Sequence, residues 1–204
     1  MSTDPAQAIA CLLRQCAYAI EAGVDVLQVR ERDLDARPLR ALVGEIVGMA
    51  NGSRTRVIVN DRLDVALAAG AGGVHLRAGS LPPAAARRLA PAGFHIGCSV
   101  HSLAEGRAAW SDADYLIAGT VWDTPSKPLG HPTLGLTGLA EIARHSPVPV
   151  LAIGGVTLGR LKELASAGAK GAAAIGLFMN PDGPAGRPCR AMPLEEAVRC
   201  AREV

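Results

Sequence analysis

Gln28, Arg30 and Arg32 alternate along the stretch QVRERD, directly after the apolar run Val24, Val26, Leu27. Alternate residues of an extended chain share a face, so the spacing predicts an amide and two guanidinium groups on one side of a strand end. A guanidinium is a planar fork of donors that meets two oxygens at once, which suits a phosphate or diphosphate. Asn60, Asp61 and Arg62 follow the next apolar run. Asp61 could hold a magnesium ion bridging a diphosphate, or form a plain rim ion pair with Arg30. Lys127 offers another cation in a loop that also carries Thr124 and Ser126.

A different anion site is suggested by glycine. Gly154 and Gly155 close the run VLAIGG, and Gly176 closes GAAAIG. Glycine lets backbone N–H groups approach an anion, and the N-terminus of a following helix adds its dipole. These three glycines are candidates for holding a phosphomonoester, with a plain tight turn as the competing reading.

The elements that must position these residues form one repeated unit. Runs rich in Val, Ile, Leu or Ala occur at 24–29, 56–59, 73–76, 94–97, 114–118, 148–153 and 171–175. Helical periodicity separates them at 36–50, 62–69, 83–90, 101–110, 137–145 and 158–167. Strand, helix, strand at this spacing predicts right-handed crossovers and a parallel sheet. The expected fold is a TIM-type (β/α)8 barrel as one domain over residues 1–204, with polar strand ends gathered at one pole as the active site. Only seven strands are visible. The stretch before the first, from Asp4 or Pro5 onward, reads as a helix, so the first strand is expected to be missing or atypical. Its place should be covered by an upstream strand or by a partner.

Composition narrows the function. The chain has 204 residues, 49% of them hydrophobic, with only two each of Trp, Tyr and Phe. An Ala, Val, Leu and Ile core suits parallel strands covered by helices. Net charge is +2 without a basic run, so no nucleic-acid partner is expected. No apolar stretch approaches the about 20 residues of a membrane span, and Met1–Ala10 is not a signal peptide. The five cysteines (Cys11, Cys16, Cys98, Cys189, Cys200) lack metal-like spacing and read as reduced thiols. A cytoplasmic location is expected. A homo-oligomer is left open.

The motifs QVRERD, VNDRLDVALAAGAGGVHL, IGCSVHS, ADYLIAGTVWDTPSK, PVLAIGGV and GAAAIGLF resemble the thiamine phosphate synthase superfamily, which includes the related thiazole tautomerases. The resemblance runs over about residues 17–180, in the family's order. It implies a transferase of thiamin biosynthesis. Such an enzyme joins a hydroxymethylpyrimidine diphosphate to a thiazole phosphate through a pyrimidine carbocation, releasing magnesium diphosphate. By the same resemblance, Gln28 binds the aminopyrimidine, and Arg30, Asn60 and Lys127 hold the diphosphate, with Arg32 where the family usually has lysine. Asp61 becomes a magnesium ligand and Ser99 lies beside the reacting centre. Thr124, Ser126, Gly155 and the backbone at Ile175 and Gly176 meet the thiazole phosphate.

Three departures keep alternatives open. The family's second acidic metal ligand after the third strand is Ser80 here, within HLRAGS. Thr120 follows Gly119 where the synthases have proline, and the first strand is missing. A thiazole tautomerase would need a phosphate site and a general acid/base, with His131 and His101 as candidates. His75, inside a strand, is expected to be structural. A non-catalytic regulator that binds a pathway phosphate is the third reading. The nearly intact diphosphate set favours the synthase.

Overall fold

The computed structural model describes residues 5–125, 127, 128, 130–176, 198, 199 and 202. Ser126 and most of the helix expected near 193–202 lie outside these residues. A first helix, α1 (Pro5–Glu21), leads into β1 (Val26–Val29). Strands and helices then alternate: α2 (Ala36–Ala50), β2 (Arg56–Asn60), α3 (Leu63–Ala68), β3 (Gly73–Leu76), α4 (Pro83–Leu89) and β4 (His95–Val100). The chain continues through α5 (Leu103–Ala109), β5 (Tyr115–Gly119), α6 (Gly135–His145) and β6 (Val150–Ile153). A short 3-10 turn (Leu158–Arg160), α7 (Leu161–Ser166) and β7 (Gly171–Ala173) follow. All six strand pairings are parallel and run in chain order, from β1 to β7.

Two apolar layers hold the sheet. Facing the helices, Val57, Val59, Val74, Ile96, Leu116 and Ala152 pack with Val43 and Ile46 of α2 and with Leu139 and Ile142 of α6. Ile46 and Ile142 are fully buried, and each such side chain contributes about 1.5–3 kcal/mol. On the other face, Ile58, Tyr115 and Ile117 form a separate cluster with Leu151, Ile153 and Ala173. Residues of β2 can meet those of β5 to β7 only if the sheet curls, so this cluster fills a curved interior. Apolar residues on both faces are what parallel strands under helices require.

The two end strands differ from the rest. β3 and β5 are buried throughout, whereas β7 is half-buried and Val26 and Gln28 of β1 are exposed. Gln28 sits opposite Ile58 in the register, so the exposed side of β1 is the one turned to the interior. β1 is therefore not buried on both faces. Among the described residues β1 pairs only with β2 and β7 only with β6, which leaves that interior face uncovered. The fold seen is a seven-stranded parallel α/β sheet.

Candidate active site

β1 ends at Val29, earlier than the sequence pattern suggested. Arg30 and Arg32 therefore lie beyond the strand, and strict alternation does not place Arg32. Both still line one cavity of about 270 Å³, together with Glu31, Asn60, Asp61, Arg62 and Arg77. Gln28 Nε2 donates to Asn60 Oδ1 at 3.3 Å, tying the ends of β1 and β2 together.

Asp61 is held with unusual care. Among the described residues it is the one non-glycine with a positive φ, 65°. That conformation typically costs about 1–2 kcal/mol for an L-residue, least for Asn and Asp. Its N–H donates to the His75 carbonyl at 2.8 Å, and the Arg62 N–H donates to the Asn60 carbonyl at 2.8 Å. The turn so formed presents the Asp61 carboxylate to the end of β3. There Arg77 donates from Nε to Oδ2 at 3.0 Å and forms an ion pair with the same oxygen through Nη2, while the Ser80 hydroxyl donates to Oδ1. Partial burial pushes the carboxyl up, but the hydrogen bonds from Ser80 and Arg77 and the Arg77 charge outweigh it, so it lies below the ordinary aspartate range.

This geometry alters two expectations. The basic partner of Asp61 is Arg77, not Arg30. Ser80, read as the loss of a second metal ligand, is a hydrogen-bond donor to the one carboxylate that remains. Arg77 was not singled out from the sequence at all. The available signal was a guanidinium one residue past β3, which the register of β2 on β3 carries to Asp61.

The remaining guanidiniums stand close together. Desolvation, then repulsion from Arg32 and Arg77, lowers the Arg30 pKa, so Arg30 feels both of the other charges. Arg62 is drawn aside by Asp64, with contacts of 2.9 and 2.7 Å. Glu31 also borders the cavity. Desolvation, then the Asp33 charge, raises its pKa, which weakens its hold on a proton-free state.

Below this rim, inside the curl, Ser99 of β4 lies 2.8 Å from His75 Nε2, and His75 Nδ1 lies 3.2 Å from the Tyr115 hydroxyl. His75 is buried, and desolvation pushes its pKa down to about 4, against a small upward pull from Asp61. A neutral imidazole has one donor and one acceptor nitrogen, and two hydroxyls satisfy both. Gly97 makes room for this: a Cβ there would fall 2.0 Å from the Tyr115 ring. His75, expected to be structural, is thus also the group that orients Ser99.

A second cavity, of about 390 Å³, is lined by Thr120, Asp123, Thr124, Lys127 and His131 among others. The Lys127 N–H donates to the Thr124 carbonyl at 3.0 Å, and the His131 N–H to the Pro128 carbonyl at 3.1 Å, so the loop folds on itself. His101 lies elsewhere. Its ring and its N–H bond Glu105 at 3.0 and 2.8 Å, beside the Ser102 cap of α5. That role is local and structural.

Gly154 and Gly155 leave β6 with φ of 98° and 66°. A Cβ on Gly154 would meet Thr120 at 2.3 Å, and one on Gly155 would meet Trp122 at 2.7 Å and the Asp123 carbonyl at 2.9 Å. This turn is therefore pressed against the loop that lines the second cavity. Arg160 Nη1 donates to the Gly155 carbonyl at 2.8 Å and its guanidinium lies 4.6 Å from the Trp122 ring centroid. Ile175 and Gly176 lie exposed just past β7, the strand beside β6.

Comparison with known proteins decides the family. The profile described as thiamine monophosphate synthase matches residues 2–178. The chain belongs to the thiamine monophosphate synthase family. A thiamine-phosphate synthase of Methanoculleus marisnigri is 44% identical over 158 residues, covering 77% of this chain and 75% of that one. One from Anaeromyxobacter dehalogenans is 40% identical over 189 residues, covering 92% and 85%. Among solved structures, thiamine phosphate pyrophosphorylase from Pyrococcus furiosus superposes with a TM-score of 0.80 at 30% identity, covering 94% of this chain and 89% of that one.

Proposed function

We propose that this chain is a thiamine-phosphate synthase, joining hydroxymethylpyrimidine diphosphate to thiazole phosphate with release of diphosphate. The observation that carries the reading is the cavity in which Arg30, Arg32 and Arg77 converge beside Asn60, with Gln28 bonded to that asparagine. A tautomerase acting on a thiazole phosphate has no leaving diphosphate and no use for such a group.

In this reading the cavity at the ends of β1 to β3 takes the diphosphate, and Gln28 the aminopyrimidine. The C–O bond to the leaving group breaks with both electrons going to the diphosphate oxygen. The guanidiniums neutralise the charge that grows there, the largest kind of contribution a preorganised site can make. The thiazole nitrogen then gives its lone pair to the pyrimidine methylene carbon and becomes the thiazolium. No proton moves in that step, so no general base is required. Ser99, held by His75, faces the interior where the cation forms. Lys127, which the resemblance assigned to the diphosphate, lines the neighbouring cavity with Thr124 and His131 instead of the one holding Arg30 and Asn60. This second cavity is taken for the thiazole phosphate. Gly154, Gly155, Ile175 and Gly176 supply backbone at the ends of β6 and β7.

Magnesium is the cofactor the resemblance implies. The described residues do not build a resident site for it. Asp61 has one oxygen on Arg77 and the other on Ser80, and no group of three metal-ligating side chains occurs among the described residues. No step is therefore assigned to a protein-held metal, and magnesium is taken to enter with the diphosphate. The fold is read as the (β/α)8 barrel with its first strand supplied from outside the described residues or replaced by a partner. No described helix is long and apolar enough to cross a membrane. Cys11, Cys16 and Cys98 are free thiols, which fits a cytoplasmic, reducing setting.

The test is incubation of the purified chain with both substrates and magnesium, following thiamine phosphate and diphosphate together. Equal amounts of the two products are expected. Absence of both, with solvent deuterium entering the thiazole carboxylate phosphate, would transfer the chain to the tautomerase reading.

A further inference from the structure

The Asp61 carboxylate lies where a divalent cation would be sought, yet its charge partner is Arg77. An arginine carries five N–H donors. Two are directed at Asp61 Oδ2, so three remain for an anion in the cavity that Arg77 lines. Its side chain is 47% exposed, against 21% for Asp61, so the guanidinium stands on the open side of the pair. The carboxylate anchors it, and the Ser80 hydroxyl, bonded to the other carboxylate oxygen, fixes the anchor. The Arg77 backbone N–H in turn donates to Ser80 Oγ at 3.1 Å. This closes a loop of bonds around one oriented fork.

We propose that Arg77, anchored on Asp61 and Ser80, is a diphosphate-binding residue that supplies the positive charge a protein-held metal ion would otherwise bring. The proposal rests on the transferase reading for its place in the reaction, but not for its test. Arg30 and Arg32 lie on the β1 side of the cavity and Arg77 on the β3 side, so a diphosphate between them meets cations from two directions. Repulsion from Arg32 and Arg77 already acts on Arg30, and an anion placed among the three relieves it. A plain rim ion pair, by contrast, would leave anion binding indifferent to Arg77.

Calorimetric titration of the full chain with inorganic pyrophosphate tests this, first in EDTA and then with magnesium. Wild type is expected to bind in EDTA. Arg77→Gln should weaken that binding by about tenfold or more, the loss of a charge-assisted contact. Magnesium should then restore most of the affinity in the variant, because Asp61 is released to it. Arg77→Lys should keep part of the affinity in EDTA, which guards against a variant that only fails to fold. Binding by wild type only when magnesium is present, or equal EDTA affinities for wild type and Arg77→Gln, would overturn the proposal. A chain that shows the Arg77-dependent binding but makes no thiamine phosphate would keep this residue's role and remove the reaction assigned to it.

Discussion

Single residues at this pole do more than one job, and His75 shows it. Its ring is buried and neutral, bridging Ser99 and Tyr115. The folded pKa, about 4, lies below the ordinary value of 6.5. The unfolded chain therefore takes up a proton at higher pH than the native one. The stabilisation is present in full above about pH 6.5, falls as pH drops toward 4, and is level below that. The linkage amounts to about 3 kcal/mol at most. Urea unfolding of wild type and His75→Gln at pH 7 and pH 4.5 should show the larger loss in wild type; parallel losses would contradict the buried neutral ring. Much of this placement was legible in the sequence. Gln28, Arg30, Asn60 and Asp61 stood out because strand ends after apolar runs are where polar residues need a reason. Arg77 escaped because its meaning depends on Asp61, 16 residues away and joined to it only by sheet register. His75 escaped as an orienting group because nothing in the string GVHL says which interior hydroxyls it will face.

At the scale of elements, the alternating runs located every strand and helix of the described body, since a buried parallel strand and an amphipathic helix have different periods. Boundaries were less legible. β1 stops at Val29 because the residues after it turn to line a cavity rather than continue a ladder. The turn after β6 is a close-packed joint between elements. Gly155 has a left-handed φ and lies against Trp122 and Asp123 of the loop after β5. Gly155→Val would force that loop outward. It should raise the KM for the thiazole phosphate while leaving that for the pyrimidine diphosphate unchanged. Equal effects on both substrates would mean that the turn does not belong to the thiazole side.

Over the whole molecule, the unusual feature is the interior between β1 and β7, which no described residue covers. Val26 is 43% exposed; its register partner is Arg56, and the packed interior begins with Ile58, opposite Gln28. Unpaired backbone along such an edge costs about 1–3 kcal/mol for each group buried without a partner. The seven strands described were legible as a count of seven; what lies between β1 and β7 was not, because nothing in residues 5–176 carries a signature of it. Fusing an apolar strand ahead of α1 should raise both Tm and activity, with about 2–4 °C for each kcal/mol gained. An unchanged Tm in a monomeric protein would show that the open edges are tolerated.

These scales meet in the claim that the cation-lined cavity at the ends of β1 to β3 receives a leaving diphosphate. Arg30 is its most direct probe, because it lines the cavity and feels both other guanidiniums. The measurement is steady-state formation of thiamine phosphate by wild type and Arg30→Gln, both verified as folded. The account predicts that kcat/KM for the pyrimidine diphosphate falls by about 100-fold or more, as when one charge-stabilising donor is removed. Equal kcat/KM in the two proteins would contradict it.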